Sequence, residues 1–382
     1  MEATLLGKYH LFEVIGDGGF GEVRRAQNME TGQFIAIKFA HLVANRSLSL
    51  FTESEILSQL QGCEGIPKVF AYGKLEVCEY MVTELLGKSL MERFLQCGKR
   101  FSVSTVGQVA VQVLDRLEFT HGRGYLHRDI KPQNLLTSLT ASQRTIYLTD
   151  FGLAKKYINE FHIHIPYKTD TRIAGTLYFA SNNTLKGIQS SRRDDMESLL
   201  YVLIYFLKGT LPWGKREGAR SSAEAAKLST TPTQLCAGLP ACTLQALTYV
   251  KGLQFEEKPN YVYLKRLFQQ LWKPSKNECG FDWETAGFER GKRRSQSLAT
   301  ALLPISKTGL LSANRRNRRL NSTYIRKSAQ SMHIGNAVRK QAVGQTLIQP
   351  AFSPSDDESN SQEDTIKDHK LPTMRRKLGV GL

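Results

Sequence analysis

Residues 127–134 carry the most informative chemical pattern in the chain. They read His-Arg-Asp-Ile-Lys-Pro-Gln-Asn, which fits HRDxKxxN, and an Asp-Phe-Gly triplet follows at 150–152. Asp129 can accept the proton of an attacking hydroxyl group, and Lys131 can neutralise a phosphoryl group during transfer. Asn134 and Asp150 offer the hard oxygen ligands that Mg²⁺ prefers. The spacing therefore predicts phosphoryl transfer from a nucleotide bound with Mg²⁺, while His127 is expected to pack beneath this loop.

A glycine-rich segment precedes this pattern. Residues 16–23 fit GxGxxGxV, with glycines at 16, 18 and 21. Glycine lets the backbone approach a phosphate without a Cβ in the way, so Gly16, Gly18 and Gly21 are candidate nucleotide-binding residues. Taken alone, the segment could equally be a glycine-rich turn. A dinucleotide fold would need a helix to begin at the last glycine, whereas the residues after Gly21 are strand-like.

A lysine that could reach the same phosphates ends the apolar strand at 35–38. Lys38 would need an acidic partner, and both Glu53 and Glu55 lie on the next predicted helix. Residues two apart face different sides of a helix, so only one of the two acids can pair with Lys38.

The elements that must position these residues change in character along the chain. Strand patterns cover 9–24, 34–37, 68–73 and 78–84, with a helical pattern at 47–60. Beyond residue 87 the patterns are mainly helical, at 89–96 and 105–124, and the run 198–207 is apolar on all sides. Such a run is typical of a central buried helix. We therefore expect an α+β fold with a small strand-rich part and a larger helical part.

Residues 9–285 resemble the eukaryotic protein kinases and, in particular, the casein kinase I family. The segments that carry this resemblance are Gly-Thr-Leu-Tyr-Phe-Ala-Ser-Asn-Asn at 175–183, where most kinases have an Ala-Pro-Glu motif, and those at 84–87, 151–157, 164–167, 191–198 and 211–213. The resemblance implies a bilobal kinase fold, with an N-lobe and hinge at 1–87 and a helical C-lobe at 88–290. It also implies that the chain transfers the γ-phosphate of Mg²⁺–ATP to serine or threonine in protein substrates.

The resemblance also assigns further site residues. Side chains that would enclose the adenine are Ile15, Val23, Ala36 and Leu136, and Glu84 and Leu86 would offer backbone hydrogen bonds at the hinge. Thr83 would be the gatekeeper, where the family more often has a larger aliphatic residue, so a pocket behind the adenine is expected to be open. Glu53 would be the partner of Lys38, Thr176 would form hydrogen bonds near Asp129 and Lys131, and Asp195 would brace the catalytic loop.

One departure from the family bears on substrate choice. Casein kinase I enzymes have a basic pocket that reads a phosphate or acid upstream of the target residue, and its arginine is Tyr178 here. A nearby loop keeps Lys168 and Arg172. The loop after Trp213 is shorter than is usual in the family but still holds cations, namely Lys215, Arg216, Arg220 and Lys227. Because lysine does not replace the bidentate recognition of an arginine, we expect a weakened preference for acidic or phosphorylated substrates.

The last quarter of the chain differs in composition. The whole chain has 52 Lys and Arg against 35 Asp and Glu, a net charge of +17, and residues 291–382 alone hold 17 against 6. They are rich in polar residues and poor in aromatic ones, which predicts a disordered tail. Its basic clusters at 292–294 and 315–319 favour nuclear import, and its serines favour autoinhibition by autophosphorylation. An extension without a specific role is the third interpretation.

Other features limit the remaining classes. The longest apolar run, at 199–207, is too short to span a bilayer, and residues 1–10 lack the pattern of a secretory signal. The six cysteines lie far apart, as expected for unpaired thiols in a reducing compartment. We expect a monomer in the cytoplasm or nucleus that binds no DNA or RNA. Two other functions stay open: a pseudokinase scaffold that only binds partners, and a small-molecule phosphotransferase.

Overall fold

The computed structural model describes residues 3–18, 21–41, 50–140, 143–214, 220–272 and 280–284. Its N-terminal part contains strands β1 (Ala3–Leu5), β2 (Tyr9–Gly18), β3 (Gly21–Asn28), β4 (Phe34–His41), β5 (Val69–Lys74) and β6 (Cys78–Glu84) and helix α1 (Leu50–Gln59). The remaining helices are α2 (Leu90–Gln96), α3 (Val103–Gly122), α4 (Asn182–Leu185), α5 (Arg192–Lys208), α6 (Arg220–Ser229), α7 (Pro232–Cys236), α8 (Ala241–Gly252) and α9 (Tyr261–Gln269). Short strands β7 (Tyr125–Leu126), β8 (Leu135–Thr137), β9 (Ile146–Leu148) and β10 (Lys155–Lys156) lie between them. The predicted α+β architecture is confirmed, whereas the predicted tail at 291–382 lies outside the described residues.

The N-terminal strands form one antiparallel sheet in the order β1-β2-β3-β4-β6-β5. Sequence neighbours pair in this sheet except where α1 separates β4 from the β5–β6 hairpin. The pairing places Gly16 opposite Val23, Val23 opposite Lys38, and Ala36 opposite Thr83. The sheet thus brings the glycine segment, the lysine and the gatekeeper position together.

The buried apolar side chains form two clusters. The smaller lies within the sheet and includes Leu11, Ile37, Tyr80 and Val82. The larger extends through the helices of the C-terminal part, and it also contains Leu50, Ile56 and Leu57 of α1. Helix α1 therefore packs both against β5 and β6 of the sheet and against the Phe151–Leu153 turn of the C-terminal part.

Helix α5 is the buried axis of the C-terminal part. Thirteen of its side chains are buried, among them Leu199, Val202 and Phe206, as its apolar sequence predicted. Helix α3 packs against both α5 and α9. It begins where the Ser102 hydroxyl accepts a hydrogen bond from the Thr105 amide, as an N-cap serine does. These two long helices hold the loops that carry the HRDxKxxN pattern.

Among the described residues, none of the helices is long and apolar enough to cross a membrane. Among the described cysteines no disulfide is formed; they are Cys63, Cys78, Cys97, Cys236 and Cys242.

Candidate active site

Lys38 joins two acids that come from distant parts of the chain. Its Nζ lies 2.7 Å from Oε2 of Glu53 on α1 and 2.9 Å from Oδ1 of Asp150. Glu55 is exposed, so Glu53 is the acid that faces the lysine. Burial opposes the charge of Lys38, but Glu53 and Asp150 outweigh it and raise the pKa of the lysine above its usual value. Burial also works against the charge of Asp150, yet Lys38 keeps the pKa of that acid below its usual value.

Asp129 lies at the centre of a second group. It is 4% exposed, and its Oδ2 accepts a hydrogen bond from Lys131 Nζ at 2.5 Å. Asn134 Nδ2 donates to the Asp129 carbonyl oxygen at 2.9 Å, and the Thr176 backbone amide donates to Oδ1 at 2.8 Å. Thr176 thus contacts Asp129 through its backbone amide. The four candidate catalytic residues, Asp129, Lys131, Asn134 and Thr176, therefore lie in direct contact around one carboxylate.

Buried polar groups hold the catalytic loop from below. Asp195 of α5 accepts hydrogen bonds from the backbone amides of His127 and Arg128, both at 2.8 Å, and lies 3.0 Å from His121 Nε2. Burial would raise the pKa of Asp195, but the hydrogen bond and charge of His121 and the nearby His127 lower it overall. Asp195 thus stays ionised and fixes two successive amides of the loop, as the resemblance implied.

His127 supports the loop rather than facing the cleft. It is fully buried, and its Nε2 lies 3.0 Å from the carbonyl oxygen of Thr149. Its Nδ1 accepts a hydrogen bond from the Asp129 amide at 3.2 Å. Because a carbonyl can only accept, the proton of the neutral ring must lie on Nε2. Both ring nitrogens are therefore engaged, one with Asp129 and the other with Thr149 directly after strand β9.

The backbone at this site adopts costly conformations. Arg128 and Asp150 have φ angles of 67° and 65°, in the left-handed region that non-glycine residues seldom enter. Such conformations persist where the surrounding structure fixes them, and they concentrate at functional sites. Arg128 is fixed by Asp195 and by the bond from its Nε to the Leu153 carbonyl oxygen at 2.7 Å.

The glycine segment and hinge line the other side of the cleft. Gly16 and Gly18 lie on β2 and Gly21 lies on β3, where it has a φ of 129°. A Cβ at Gly21 would lie 1.8 Å from the Phe39 carbonyl oxygen, so no other residue fits there. Gly16 is different, because a Cβ there would make only ordinary contacts with Val23. Packing within the protein therefore does not require a glycine at position 16, which is consistent with a close approach of this backbone to a ligand.

The residues expected around the adenine lie on five strands, with Val23 on β3, and Leu86 follows β6. Ile15 on β2 is 48% exposed, Ala36 on β4 is 8% exposed, and Thr83 and Glu84 lie on β6. Leu136 lies on β8 in the C-terminal part. The Glu84 amide donates to the Lys68 carbonyl oxygen at 3.0 Å, so this amide is already engaged within the protein. The structure thus gathers the expected enclosing residues at the junction of the two parts.

Asp150 and Asn134 offer oxygen atoms of the kind that bind Mg²⁺. One Asp150 oxygen is bound by Lys38 and Asn134 donates through Nδ2, so Asp150 Oδ2 and Asn134 Oδ1 remain as oxygen ligands. Mg²⁺ in phosphoryl-transfer sites binds one or two protein oxygens and takes its other ligands from phosphate and water. When bound, the ion would neutralise charge on the phosphates of the nucleotide.

A protein-family model for the protein kinase domain matches residues 9–248. The chain belongs to the protein kinase family. Kinases of this family transfer a phosphoryl group from ATP, which agrees with the arrangement of Lys38, Asp129 and Asp150 described above.

The activation segment of the kinase, residues 150–181, borders a basic pocket. Arg128, Lys155 and Arg172 line this pocket of about 290 Å³, together with Thr171, Ala174, Thr184, Ile188, Gln189 and Ser190. Burial, and then the charges of Arg128 and Lys168, lower the pKa of Lys155. Three positive side chains around one cavity favour the entry of an anion.

The other cations considered from the sequence are placed differently. Lys215 and Arg216 lie outside the described residues, and so does the side chain of Arg220. Lys227 is only 2% exposed, and its ammonium group is turned into the protein. Sequence reasoning counted Lys227 among the surface cations, because nothing in the local pattern of α6 shows which residues fifty positions earlier lie against it.

The sequence patterns also did not identify the buried polar group around Glu197. Glu197 on α5 accepts hydrogen bonds through Oε1 from Lys251 Nζ at 2.9 Å, from the Tyr201 hydroxyl at 2.5 Å and from the Asn182 amide at 3.1 Å. The ion pair joins α5 to α8, and the amide contact holds the start of α4. It therefore anchors the end of the activation segment to the core of the C-terminal part.

Proposed function

We propose that this protein is a serine/threonine protein kinase of the casein kinase I type. The observation that carries the proposal is the group around Asp129, whose two carboxylate oxygens contact the Lys131 ammonium and the Thr176 amide. Thr176 belongs to the segment at 175–183 that resembles this family. A contact between the catalytic loop and this segment supports transfer to the hydroxyl group of a serine or threonine in a protein.

The residues divide the work of the reaction. Asp129 accepts the proton of the attacking hydroxyl, and Lys131 offsets the negative charge of the phosphoryl group. Lys38, held by Glu53, binds the phosphates of ATP, and Asn134 and Asp150 hold Mg²⁺. The glycines at 16, 18 and 21 cover the phosphates from above.

Two features bear on the substrate. Arg128, Lys155 and Arg172 line a pocket that suits an acidic or phosphorylated substrate residue. At position 178, however, the arginine of the family is replaced by tyrosine, which cannot bind an oxyanion through two parallel hydrogen bonds. We therefore propose that acidic or phosphorylated substrates are accepted but not strongly preferred.

Regulation and location are proposed from the resemblance and the sequence. The resemblance favours activity without phosphorylation of the activation segment, and the basic tail favours nuclear import or autoinhibition. The small-molecule alternative is disfavoured because the chain has the complete segment that receives a protein substrate in protein kinases.

The test is transfer of labelled phosphate from Mg²⁺–ATP to casein by the full-length protein. Asp129→Asn is the control, and acid hydrolysis of the product identifies the labelled residue type. We expect label on serine and threonine that disappears in the variant. Nucleotide binding without transfer would favour the scaffold, ATP hydrolysis without protein labelling would favour a small-molecule enzyme, and label on tyrosine would contradict the proposed specificity. Greater activity of a 1–290 fragment would assign autoinhibition to the tail.

A further inference from the structure

Lys227 on α6 is a buried lysine next to the segment that receives the substrate. Its side chain is 2% exposed, and its Nζ donates to the carbonyl oxygens of Leu177 and Tyr178, each at 3.0 Å. Lysine is almost never fully buried unless its charge has partners. These two carbonyls directly follow Thr176, whose amide contacts Asp129.

Aromatic rings complete the environment of the Lys227 ammonium. Its Nζ lies 4.7 Å from the centre of the Tyr201 ring and 5.0 Å from that of Trp213. Such contacts stabilise a cation when water is excluded. Trp213 Nε1 also donates to the Tyr178 carbonyl oxygen at 2.9 Å, so this oxygen has two donors. Lys227 and Trp213 together hold the backbone of the substrate-receiving segment.

The nearby acid forms its ion pair with another lysine rather than with Lys227. Glu197, whose charge acts on Lys227, contacts Lys251 Nζ at 2.9 Å, and Lys251 itself lies 5.9 Å from the Tyr201 ring. Burial lowers the pKa of Lys227 to about 7, with Glu197 raising it and Lys251 lowering it further. A neutral amine keeps two N–H donors, so the two bonds to the carbonyls do not depend on the charge.

Tyr178 is also directed into the protein. Its hydroxyl accepts a hydrogen bond from the Leu211 amide at 3.1 Å, and a Cβ added at Gly214 would lie 2.4 Å from that hydroxyl oxygen. The ring is therefore packed tightly against the turn before α6. Neither position 178 nor position 227 presents a cation to a substrate phosphate.

We propose that Lys227 is a positioning residue for the protein substrate: it fixes the carbonyls of Leu177 and Tyr178 and thereby the segment that begins at Thr176, and it does not read a substrate phosphate. The inference rests on the proposed protein kinase function. It implies that Lys227 does not distinguish a phosphorylated peptide from an unmodified one.

Replacing Lys227 by methionine separates these roles. Methionine has a similar length but offers no donor, so the Leu177 carbonyl loses its bond to Lys227 while the Tyr178 carbonyl keeps its bond to Trp213. We expect KM for a serine peptide to rise about fivefold or more, the effect of one lost hydrogen bond to a peptide carbonyl. We expect KM for ATP to stay within about twofold, because Lys227 contacts only the substrate-receiving side.

The experiment uses the full-length protein with a serine peptide in two forms, unmodified and carrying an upstream phosphoserine. Lys227→Met is compared with Lys265→Met, a control that removes a lysine bonded to Asp115 and Glu118 of α3 and makes no contact with residues 176–182. Lys227→Gln retains amide donors and should fall between Lys227→Met and the wild type. If Lys227→Met does not fold, Lys227→Gln is the variant that tests the proposal. Hydrogen exchange of the amides at 174–180 is measured on every variant.

We expect Lys227→Met alone to speed exchange at 174–180 and to raise KM equally for both peptide forms. A selective loss of the phosphorylated form would show that Lys227 reads phosphate and would overturn the proposal. Equal effects of Lys265→Met would assign the change to general destabilisation and would also overturn it. If the wild type transfers no phosphate, the proposed function fails, and exchange at 174–180 still decides whether Lys227 positions this segment.

Discussion

The choice between Glu53 and Glu55 shows how single residues set the activity of this kinase. Glu53 contacts Lys38 at 2.7 Å and is 4% exposed, whereas Glu55 is exposed on the opposite side of α1. Glu53→Gln removes the charge that helps to hold Lys38 over the phosphates. We expect kcat/KM for ATP to fall on the order of tenfold or more, measured by peptide phosphorylation at varied ATP concentration.

Glu55→Gln is the matched control, since it removes the same charge two residues away. It should leave kcat/KM for ATP unchanged. Equal losses in both variants would mean that the charge of α1 as a whole, rather than the contact with Lys38, supports nucleotide binding.

At the scale of elements, the activation segment must fit closely against the catalytic loop. Gly175 has a φ of 87°, and a Cβ there would lie 2.4 Å from the Arg128 carbonyl oxygen. Gly175→Ala must therefore shift the segment and the Thr176 amide away from Asp129. We expect kcat to fall on the order of 100-fold, as a displacement of about 1 Å can cause.

Gly187→Ala separates this effect from backbone strain. Gly187 has a φ of 72°, but its nearest contact, with the Thr171 carbonyl oxygen, would be an ordinary 3.5 Å. It should cost about 1–2 kcal/mol of stability and leave kcat nearly unchanged. Thermal unfolding and initial rates measured on both variants would test the distinction, and a similar kcat in the two would contradict it.

The start of helix α5 gives a pH dependence to stability. Asp194 accepts hydrogen bonds from the Ser181 hydroxyl at 2.6 Å and the Ser191 amide at 2.7 Å. Burial nevertheless raises its pKa from 3.8 to about 6. Between these values the folded protein holds a proton that the unfolded chain has lost, so the free energy of unfolding falls as pH rises through this range.

Asp194→Asn removes the titrating group and should remove this slope. Between pH 4 and pH 7, the stability of the wild type relative to the variant should fall by about 2 kcal/mol. Denaturant unfolding of both proteins at several pH values measures it. A constant difference would show that Asp194 titrates alike in the folded and unfolded states.

At the scale of the whole molecule, local patterns predicted the elements better than the contacts between them. Strands β2 to β6 and helices α1, α2, α3 and α5 followed from periodicity. The contact of Thr176 with Asp129 was implied by the family resemblance. The contacts of buried Lys227 and the Glu197–Lys251 ion pair could not be predicted in this way, because each joins residues about fifty positions apart. Nothing in a local window distinguishes such a lysine from one in solvent, so the packing of α5, α6 and α8 is needed to identify it.

Binding of the nucleotide should act on the whole molecule, since its site takes Lys38 from the sheet and Asp129, Asn134 and Asp150 from the C-terminal part. ATP with Mg²⁺ at about one hundred times its Kd should stabilise the folded protein by about 2.7 kcal/mol. Chelating the metal should remove most of this gain, because the phosphate charges would then face Asp150 without a cation between them. In Asp150→Asn, Mg²⁺ should add little to the effect of ATP alone. Thermal unfolding with ATP, with and without Mg²⁺, tests both statements, and a wild-type shift that does not depend on Mg²⁺ would argue against a metal site at Asn134 and Asp150.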